Sequence, residues 1–512
     1  MEKDQRINQK IKSLDVLAHV ISKIKKSGKK VVHCHGVFDL IHPGHFKHLQ
    51  SAKRMGNVLV VTVTPDRFVK KGPGRPVFHE TLRAESLAEL ESVDFVAINQ
   101  WPTAVETIRL LRPNLYVKGK DYAKRERDVT GKIYAEEKAV QSIGGQIKFT
   151  SDIEFSSSHL INNFMSIFPP ETEKWLHSFR KKFPVTKIVE YIQRCSELKV
   201  LVMGEAILDE YVFCDGLGKS NKDPILAFKY HSTEAHAGGA LAVANHLAGF
   251  CKEVALLTML GDRERKESFI RKSLAGNIRP YFITRENSPT IHKRRFVDSH
   301  TNARMFEIYL MNDASMSART GQTLVSKLNG LLKKYDLVIC ADYGHGLFTE
   351  KAIQVICRRA NFLAVNTQAN AGNRGFNTIS KYPKADYVCL AGHEVSLETR
   401  MKHANWHDLV LEVTKRIRCS NFGVTEGNRG ILHYSKKNGF VEVPAFAAKV
   451  VDRVGAGDAV LALTSLLVYL KAPWETVGFV GNLVGAQMVA DLGNRVTIQK
   501  TSLIQNINSL MK

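Results

Sequence analysis

The chain has no long apolar run, no paired cysteines and too few acidic residues to balance its basic ones. Its longest strongly apolar stretch, residues 459–470, is followed by Lys471; at about 12 residues it is too short to span a bilayer and suits a buried helix. The opening residues Met1-Glu2-Lys3-Asp4-Gln5-Arg6 are charged and contain no apolar core, so no secretory signal is expected. Cys34, Cys195, Cys214, Cys251, Cys340, Cys357, Cys389 and Cys419 include no Cys-x-x-Cys pair, which argues for reduced thiols over a disulfide frame or structural zinc. A cytoplasmic protein without a membrane partner is expected.

The shortage of acid, 50 Asp and Glu against 73 Lys and Arg for a net charge of +23, has two readings. One is a surface for nucleic acid or anionic lipid. The other is the basic surface of an enzyme that handles phosphates. The basic residues are spread along the chain with only short runs, at 23–30 and 118–127, and no RNA-binding aromatic signature accompanies them. The second reading is preferred, and nucleic acid is not an expected partner.

What is present is alternation. A chain of 512 residues is too long for one ordinary core and predicts two or three domains. From residue 30, β-rich runs alternate with helix-like stretches: Lys30-Val31-Val32-His33-Cys34-His35, then Val58–Val63, then Val93-Asp94-Phe95-Val96-Ala97-Ile98, then Leu115–Lys118. That spacing predicts βαβ units and a parallel sheet, with ligands at the carboxyl ends of the strands. The pattern breaks at Phe168-Pro169-Pro170-Glu171, and a fresh strand begins at Lys199. The expected division is one α/β domain over 1–168, a linker or helical connector over 169–198, and a second α/β domain over 199–512.

Two motifs carry chemistry. His42-Pro43-Gly44-His45 follows the first strand, and a helix beginning near Gly44 would offer free amides and its positive dipole end to phosphate. Gly44 permits close backbone approach, and both imidazoles can donate hydrogen bonds. Nucleotidyl transfer asks chiefly for a positioned α-phosphate and stabilised negative charge. The bland alternative is a pair of surface histidines in a turn. Far downstream, Gly455-Ala456-Gly457-Asp458 lies between strand-like Ala448-Lys449-Val450-Val451 and the apolar run. Strand, glycine-rich turn and helix make an amide-lined concavity for phosphate oxygens. Asp458 would accept a proton from a substrate hydroxyl as the γ-phosphoryl group arrives.

Both motifs belong to longer resemblances. Gly36-Val37-Phe38-Asp39 leads into His42-Pro43-Gly44-His45, followed by Arg75-Pro76-Val77, Arg83, Val117-Lys118-Gly119-Lys120-Asp121-Tyr122 and Phe155-Ser156-Ser157-Ser158. Over about residues 10–168 the chain resembles the cytidylyltransferase-like superfamily, in particular its ADP-heptose synthase branch. The resemblance implies a Rossmann-like nucleotidyltransferase in which a sugar 1-phosphate attacks the α-phosphate of a nucleoside triphosphate with Mg2+. It implies His42 and His45 as transition-state stabilisers and Gly36, Phe38, Asp39, Gly44, Lys118, Ser157 and Ser158 as nucleotide or phosphate contacts. Arg75 and Asp121 would touch substrate. ATP is the implied nucleotide, with CTP as the alternative.

From about Lys199 to Ile504 the chain resembles the ribokinase-like family, in particular heptose 7-phosphate kinases. The resembling residues are Gly204-Glu205-Ala206-Ile207-Leu208-Asp209, Gly238-Gly239-Ala240, Ala341-Asp342-Tyr343 with Gly346, and Val424-Thr425-Glu426-Gly427-Asn428-Arg429-Gly430. The resemblance implies Asp209, Gly238 and Gly239 at the sugar, and Thr425, Gly427, Gly455, Ala456 and Gly457 at ATP. Asp458 would be the base and Glu394 would help hold Mg2+. There are departures. Gly-Gly-Ala-Ala-Asn of the relatives is Gly238-Gly239-Ala240-Leu241-Ala242 here, Asp-Pro-Lys is Asn366-Thr367-Gln368, Asn-x-x-Glu is Ala391-Gly392-His393-Glu394, and the opening Gly-Asp is Gly204-Glu205. Losing buried hydrogen-bonding groups changes affinity for hydroxylated ligands, so a kinase of altered sugar specificity is preferred over one whose catalysis has decayed. In the bifunctional heptose enzymes the kinase half comes first; here it comes second.

The combined expectation is a bifunctional enzyme that phosphorylates and nucleotide-activates a sugar, ADP-heptose-like, for surface polysaccharide. Sugar phosphates and nucleoside triphosphates would be its partners, and the kinase resemblance implies a homodimer. Two alternatives are an active nucleotidyltransferase with an impaired kinase-like scaffold or sensor, and a basic nucleic-acid-binding or regulatory protein built on enzyme folds.

Overall fold

A computed structural model describes residues 9–119, 132–150, 168–312, 314–401 and 403–512. They fall into two compact units, one reaching to Pro169 and including Gln505–Lys512, the other Pro170–Ile504.

The first unit is a parallel sheet of five strands, β1 (Val31–Gly36), β2 (Val58–Val63), β3 (Phe95–Ile98), β4 (Leu115–Lys118) and β5 (Gln146–Phe149), in the order β3-β2-β1-β4-β5. Every residue of β2 is buried, as expected where crossover helices cover both sheet faces. Helix α1 (Leu14–Lys26) buries Leu14, Leu17 and Ile21 on one side. Helix α2 (Pro43–Arg54) follows β1 directly, with Pro43 in its first turn and His42 at its N-cap, the position where a missing N–H costs nothing. Chain order reverses across the β1–β4 pair, so the end of β1 opens at the switch point where α/β sheets bind ligands.

The stretch 169–198, expected as a connector, forms helices α3 (Pro170–Lys182) and α4 (Val185–Arg194) of the second unit. Phe179 stacks on Phe479 with ring centroids 4.7 Å apart. Beyond them lies a nine-stranded sheet: β6 (Lys199–Gly204), β9 (Glu253–Arg263), β10 (Ile278–Pro289), β13 (Leu337–Asp342), β14 (Leu363–Thr367), β15 (Lys384–Ala391), β16 (Arg418–Thr425), β17 (Ile431–Ser435) and β18 (Gly439–Val443). Its order is β10-β9-β6-β13-β14-β15-β16-β17-β18, parallel as far as β16 and antiparallel at the last two pairings. A smaller sheet, β12-β11-β7-β8, is made from β7 (Ala206–Lys219), β8 (Leu226–Gly239), β11 (Ile291–Asp298) and β12 (Arg304–Leu310). The chain passes from β6 to β7 at Glu205, so Asp209 stands on the small sheet and not on the opening strand. Gly204 is required at that exit, because a Cβ there would collide with the Ala341 carbonyl.

The strand expected at Ala448-Lys449-Val450-Val451 does not form. Regular structure stops at Val443 and resumes at Ala456, and Val450 and Val451 are exposed. The amides of Val451 and Asp452 donate to the Val489 carbonyl, at the end of the helix Trp474–Val489. Val451 and Asp452 therefore cap a helix terminus, and the β-branched pair joins no ladder.

Candidate active sites

At the end of β1, Phe38 adopts a left-handed backbone with φ +51°, and its ring lies 3.0 Å from where a Gly36 Cβ would be. The turn delivers His42 and His45 face to face, with ring centroids 3.9 Å apart, and the Phe38 ring is 5.2 Å from His45. His42, the N-cap of α2, and Gly44, in its first turn, are buried, and His45 is half-buried. Burial, then His42 and Lys71, push His45 down to about 3; burial and Lys71 lower His42 as well. Both shifts favour the neutral imidazole, which can donate through one ring nitrogen.

Around the pair, Asp39 accepts from the Val77 amide at 2.7 Å and pairs with Arg75 at 3.1 Å. Arg75 and Asp39 thus pin the 75–78 loop under the histidines. Arg83 ties the same loops together, donating to the carbonyls of Phe78 (2.8 Å), Thr64 (3.0 Å) and Val37 and to Asp66. Lys71 was missed in the sequence. Burial lowers it to about 8 against the pull of Asp39, and its charge acts on both histidines. The run Lys70-Lys71-Gly72-Pro73-Gly74-Arg75 was the available signal. Lys118, ending β4, is buried with its ammonium 3.2 Å from Glu136. Asp121, Ser157 and Ser158 lie outside the described residues.

In the second unit, helix α5 (Ala456–Tyr469) starts after Gly455, which has φ +80°; a Cβ on Gly455 would collide with Asn494 Oδ1. The amides of Ala456, Gly457 and Asp458 head the helix with no intrahelical acceptor, as at any helix start. Asp458 Oδ1 accepts the Tyr343 hydroxyl at 2.6 Å. Burial raises Asp458 to about 7, with Asp209 adding to the rise while Tyr343 and Lys293 oppose it. A carboxylate near neutrality is what a general base needs.

Asp209 pairs with Arg295 at 2.5 Å and accepts from Asn494 Nδ2 at 3.1 Å. The paired glycines now have a reason: a Cβ on Gly238 would strike the Asp209 carboxylate, and Gly239 has φ +58° with its Cβ position crowded by the Glu205 carbonyl. Thr425 ends β16 opposite Ala391 of β15, and Gly427 follows in a left-handed turn with open space beside it. Glu394, in the first turn of the helix Gly392–Thr399, accepts from the amides of Ala391 (2.8 Å) and Ala369 (3.1 Å). Burial raises it to about 7, with Asp458 among the charges it feels. Among the described residues no group of three or more His, Cys, Asp or Glu gathers to hold a metal. Mg2+ held mainly by nucleotide phosphates and water needs only one or two protein carboxylates, and Glu394, the carboxylate the sequence singles out, would be one.

Glu205 is the residue whose role the sequence concealed. Its buried carboxylate accepts from the amides of Tyr343 (3.0 Å), His345 (3.2 Å) and Leu347 (3.2 Å). It thereby anchors the loop after β13 that carries Tyr343. The departures at Asn366 and Ala391 are likewise absorbed into the frame: Asn366 Nδ2 donates to the Cys389 carbonyl at 2.8 Å, and Ala391 offers its amide to Glu394.

Comparison with known proteins follows this division. A cytidylyltransferase-like family model matches residues 33–164, and the model for pfkB family carbohydrate kinases matches residues 197–501, in the order expected. The bifunctional protein HldE of Citrifermentans bemidjiense is 38% identical over 164 residues, covering 31% of this chain and 32% of that protein. HldE of Nitratiruptor sp. is 41% identical over 298 residues, covering 58% and 62%. The chain therefore spans less than two thirds of either relative. Phosphofructokinase-2 from Escherichia coli in complex with fructose-6-phosphate superimposes with TM-score 0.50 at 13% identity, over 62% of this chain and all of that one, a likeness of fold. Since the kinase model takes in more than half of the chain and contains both the Asp458 turn and the glycines facing Asp209, this protein, with its cytidylyltransferase-like domain in front, belongs to the pfkB family of carbohydrate kinases.

Proposed function

We propose that the protein is a bifunctional enzyme of nucleotide-sugar synthesis, its second unit phosphorylating a sugar or sugar phosphate from ATP and its first converting a sugar 1-phosphate to a nucleotide sugar. The observation that carries the kinase reading is Asp458, near neutral, hydrogen-bonded by Tyr343 and set in the phosphate turn within reach of the Asp209 acceptor wall. An acceptor hydroxyl beside Asp458 attacks the γ-phosphorus of ATP. The new O–P bond forms as the bond to the β-phosphate oxygen breaks, ADP leaves, and the proton passes to Asp458. The amides of residues 456–458 face the charge that develops. Mg2+, when bound, neutralises the phosphate oxygens. The intact base geometry supports an active kinase over an inert scaffold.

In the first unit a sugar 1-phosphate oxygen attacks the α-phosphorus of the triphosphate and pyrophosphate departs, so no proton need move. His42 and His45 donate to the oxygens on the pentavalent phosphorus, with Lys71 supplying positive charge and Gly44 allowing the approach. Lys118, Ser157 and Ser158 are assigned to the phosphates, and Asp121 with Arg75 to the sugar side. ATP is the favoured nucleotide, and an ADP-heptose-like product follows from the resemblance to both halves of the heptose enzymes. The outer face of the small sheet exposes Leu217, Leu226, Tyr230 and Phe306. An apolar face of that kind supports a homodimer, which light scattering would test.

The test is mass spectrometry of the purified protein with ATP, Mg2+ and either heptose or heptose 7-phosphate, beside Asp458→Ala, and with sugar 1-phosphates against ATP and CTP, beside His45→Ala. Phosphorylation lost only in Asp458→Ala and nucleotide-sugar formation lost only in His45→Ala are expected. Products that persist in both variants would overturn the assignment.

A further inference from the structure

The acceptor carboxylate and the base stand on separate elements. Asp209 belongs to β7 of the small sheet, and Asp458 to the head of α5. Transfer needs a fixed spacing between them, because an ångström of misplacement costs about 10²-fold in rate. Arg295, which holds Oδ1 of Asp209, lies on β11 of the same small sheet and cannot fix that sheet against the turn. Among the described residues the carboxylate has one other hydrogen-bond partner, the Nδ2 group of Asn494, at 3.1 Å from Oδ2. Asn494 lies 285 residues further along the chain and outside the small sheet.

Asn494 is the middle of three consecutive residues that each hold a carboxylate. The Gly493 amide donates to Asp452 Oδ2 at 2.9 Å, and Asp452 Oδ1 accepts the Val454 amide at 3.0 Å, at the entry to the 455–458 turn. Asn494 takes Asp209, and Arg495 pairs with Glu234 of β8 at 2.6 Å. Burial separates the three. The Arg495 and Glu234 side chains are 34% and 41% exposed, and an ion pair that wet is worth little. Those of Asp209 and Asp452 are 6% and 3% exposed, where losing a hydrogen bond to a charged group costs more. On its other side Asn494 Oδ1 packs against the backbone of Gly455, 2.0 Å from where a Cβ would stand. One amide side chain therefore spans from the acceptor carboxylate to the phosphate turn, while the Gly493–Asp452 bond ties its backbone to the approach of that turn.

Resting on the kinase reading above, we propose that Asn494 is a positioning residue for phosphoryl transfer, registering the Asp209 carboxylate of the small sheet against the 455–458 turn. It acts through Asp209. With Arg295 on one oxygen and Asn494 on the other, the carboxylate plane has one orientation, and its remaining lone pairs are left for acceptor hydroxyls.

Two variants remove the donor: Asn494→Leu, of similar volume, and Asn494→Asp, which keeps the shape but faces Asp209 with an ionised acceptor at pH 8. Phosphorylation of heptose and of heptose 7-phosphate is followed in the full-length protein, with each change made in the native and in an Asp209→Ala background. Each variant is expected to lower kcat/KM for the acceptor about 10²-fold while KM for ATP stays within about twofold. In the Asp209→Ala background the same changes are expected to cost less than about threefold, the non-additivity of residues that work as one unit. A merely structural role would cost as much in either background. That outcome, or variants within about threefold of wild type, would overturn the positioning role and leave the kinase reading standing. A wild type that phosphorylates neither acceptor would overturn the kinase reading, and the positioning role with it.

Discussion

The Tyr343 hydroxyl donates to Asp458 Oδ1 at 2.6 Å, and the backbone of Tyr343 is itself held by Glu205 through the residue's amide. A buried carboxylate thus sets the phenol, and the phenol sets the base. Tyr343→Phe keeps the ring but deletes the donor. Because that bond lowers the carboxylate's pKa, removing it moves the pKa up from about 7, and less base is ionised at neutral pH. The expected result is a fall in kcat of about tenfold at pH 7, consistent with a hydrogen bond to a charged group, with partial recovery at pH 9. A kcat profile whose acid limb does not shift would show that the phenol has no hold on the base.

Asp458 also ties activity to stability. Its carboxyl is raised to about 7 in the fold, above its unfolded value near 4. Its contribution is therefore most favourable below pH 4 and is lost as pH rises toward 7. Asp458→Asn removes that penalty along with repulsion from Asp209. The variant is expected to melt about 2–4 °C higher than wild type at pH 7.5 while kinase turnover falls by about 10²–10⁴. Equal melting temperatures across pH 4–8 would count against the raised pKa.

These relationships show what sequence makes visible. The 455–458 turn and the His42–His45 pair are local, each compact enough that residue type and spacing suffice. Glu205 reads as a departure because its partners, the amides of residues 343–347, lie far along the chain, and only the fold brings them to one carboxylate. The Val450-Val451 pair signals a strand by residue type, yet no sheet edge meets it. Ala242 reads as a lost contact; whether a missing side chain leaves a hole or is repacked depends on neighbours such as Asn494, which sequence does not place. Lys71 sits in a glycine-proline loop whose path is set by the Asp39–Arg75 pair.

Lys71 gives the transferase its own test. Lys71→Met keeps most of the packing volume and removes the charge that depresses both histidines. The expected result is a rise in the His45 pKa, seen by NMR titration of the imidazole, with KM for the nucleoside triphosphate raised on the order of tenfold or more. Kinase turnover should not change. An unaltered His45 titration would place Lys71 away from the pair.

Gly238 offers the sharpest steric test. A methyl there meets the Asp209 carboxylate, and the carboxylate cannot retreat freely because Arg295 and Asn494 hold it. Gly238→Ala must therefore displace Asp209 from the acceptor wall. The proposed nucleotide side, Thr425, Gly427 and the 455–458 turn, lies on other elements and is left intact. The acceptor KM is expected to rise by about 10²-fold, the scale on which an ångström of misplacement acts, while KM for ATP stays within about twofold. If both KM values rose together, the glycine would be serving the fold of the sheet junction, and the assignment of Asp209 to the acceptor would lose its steric support.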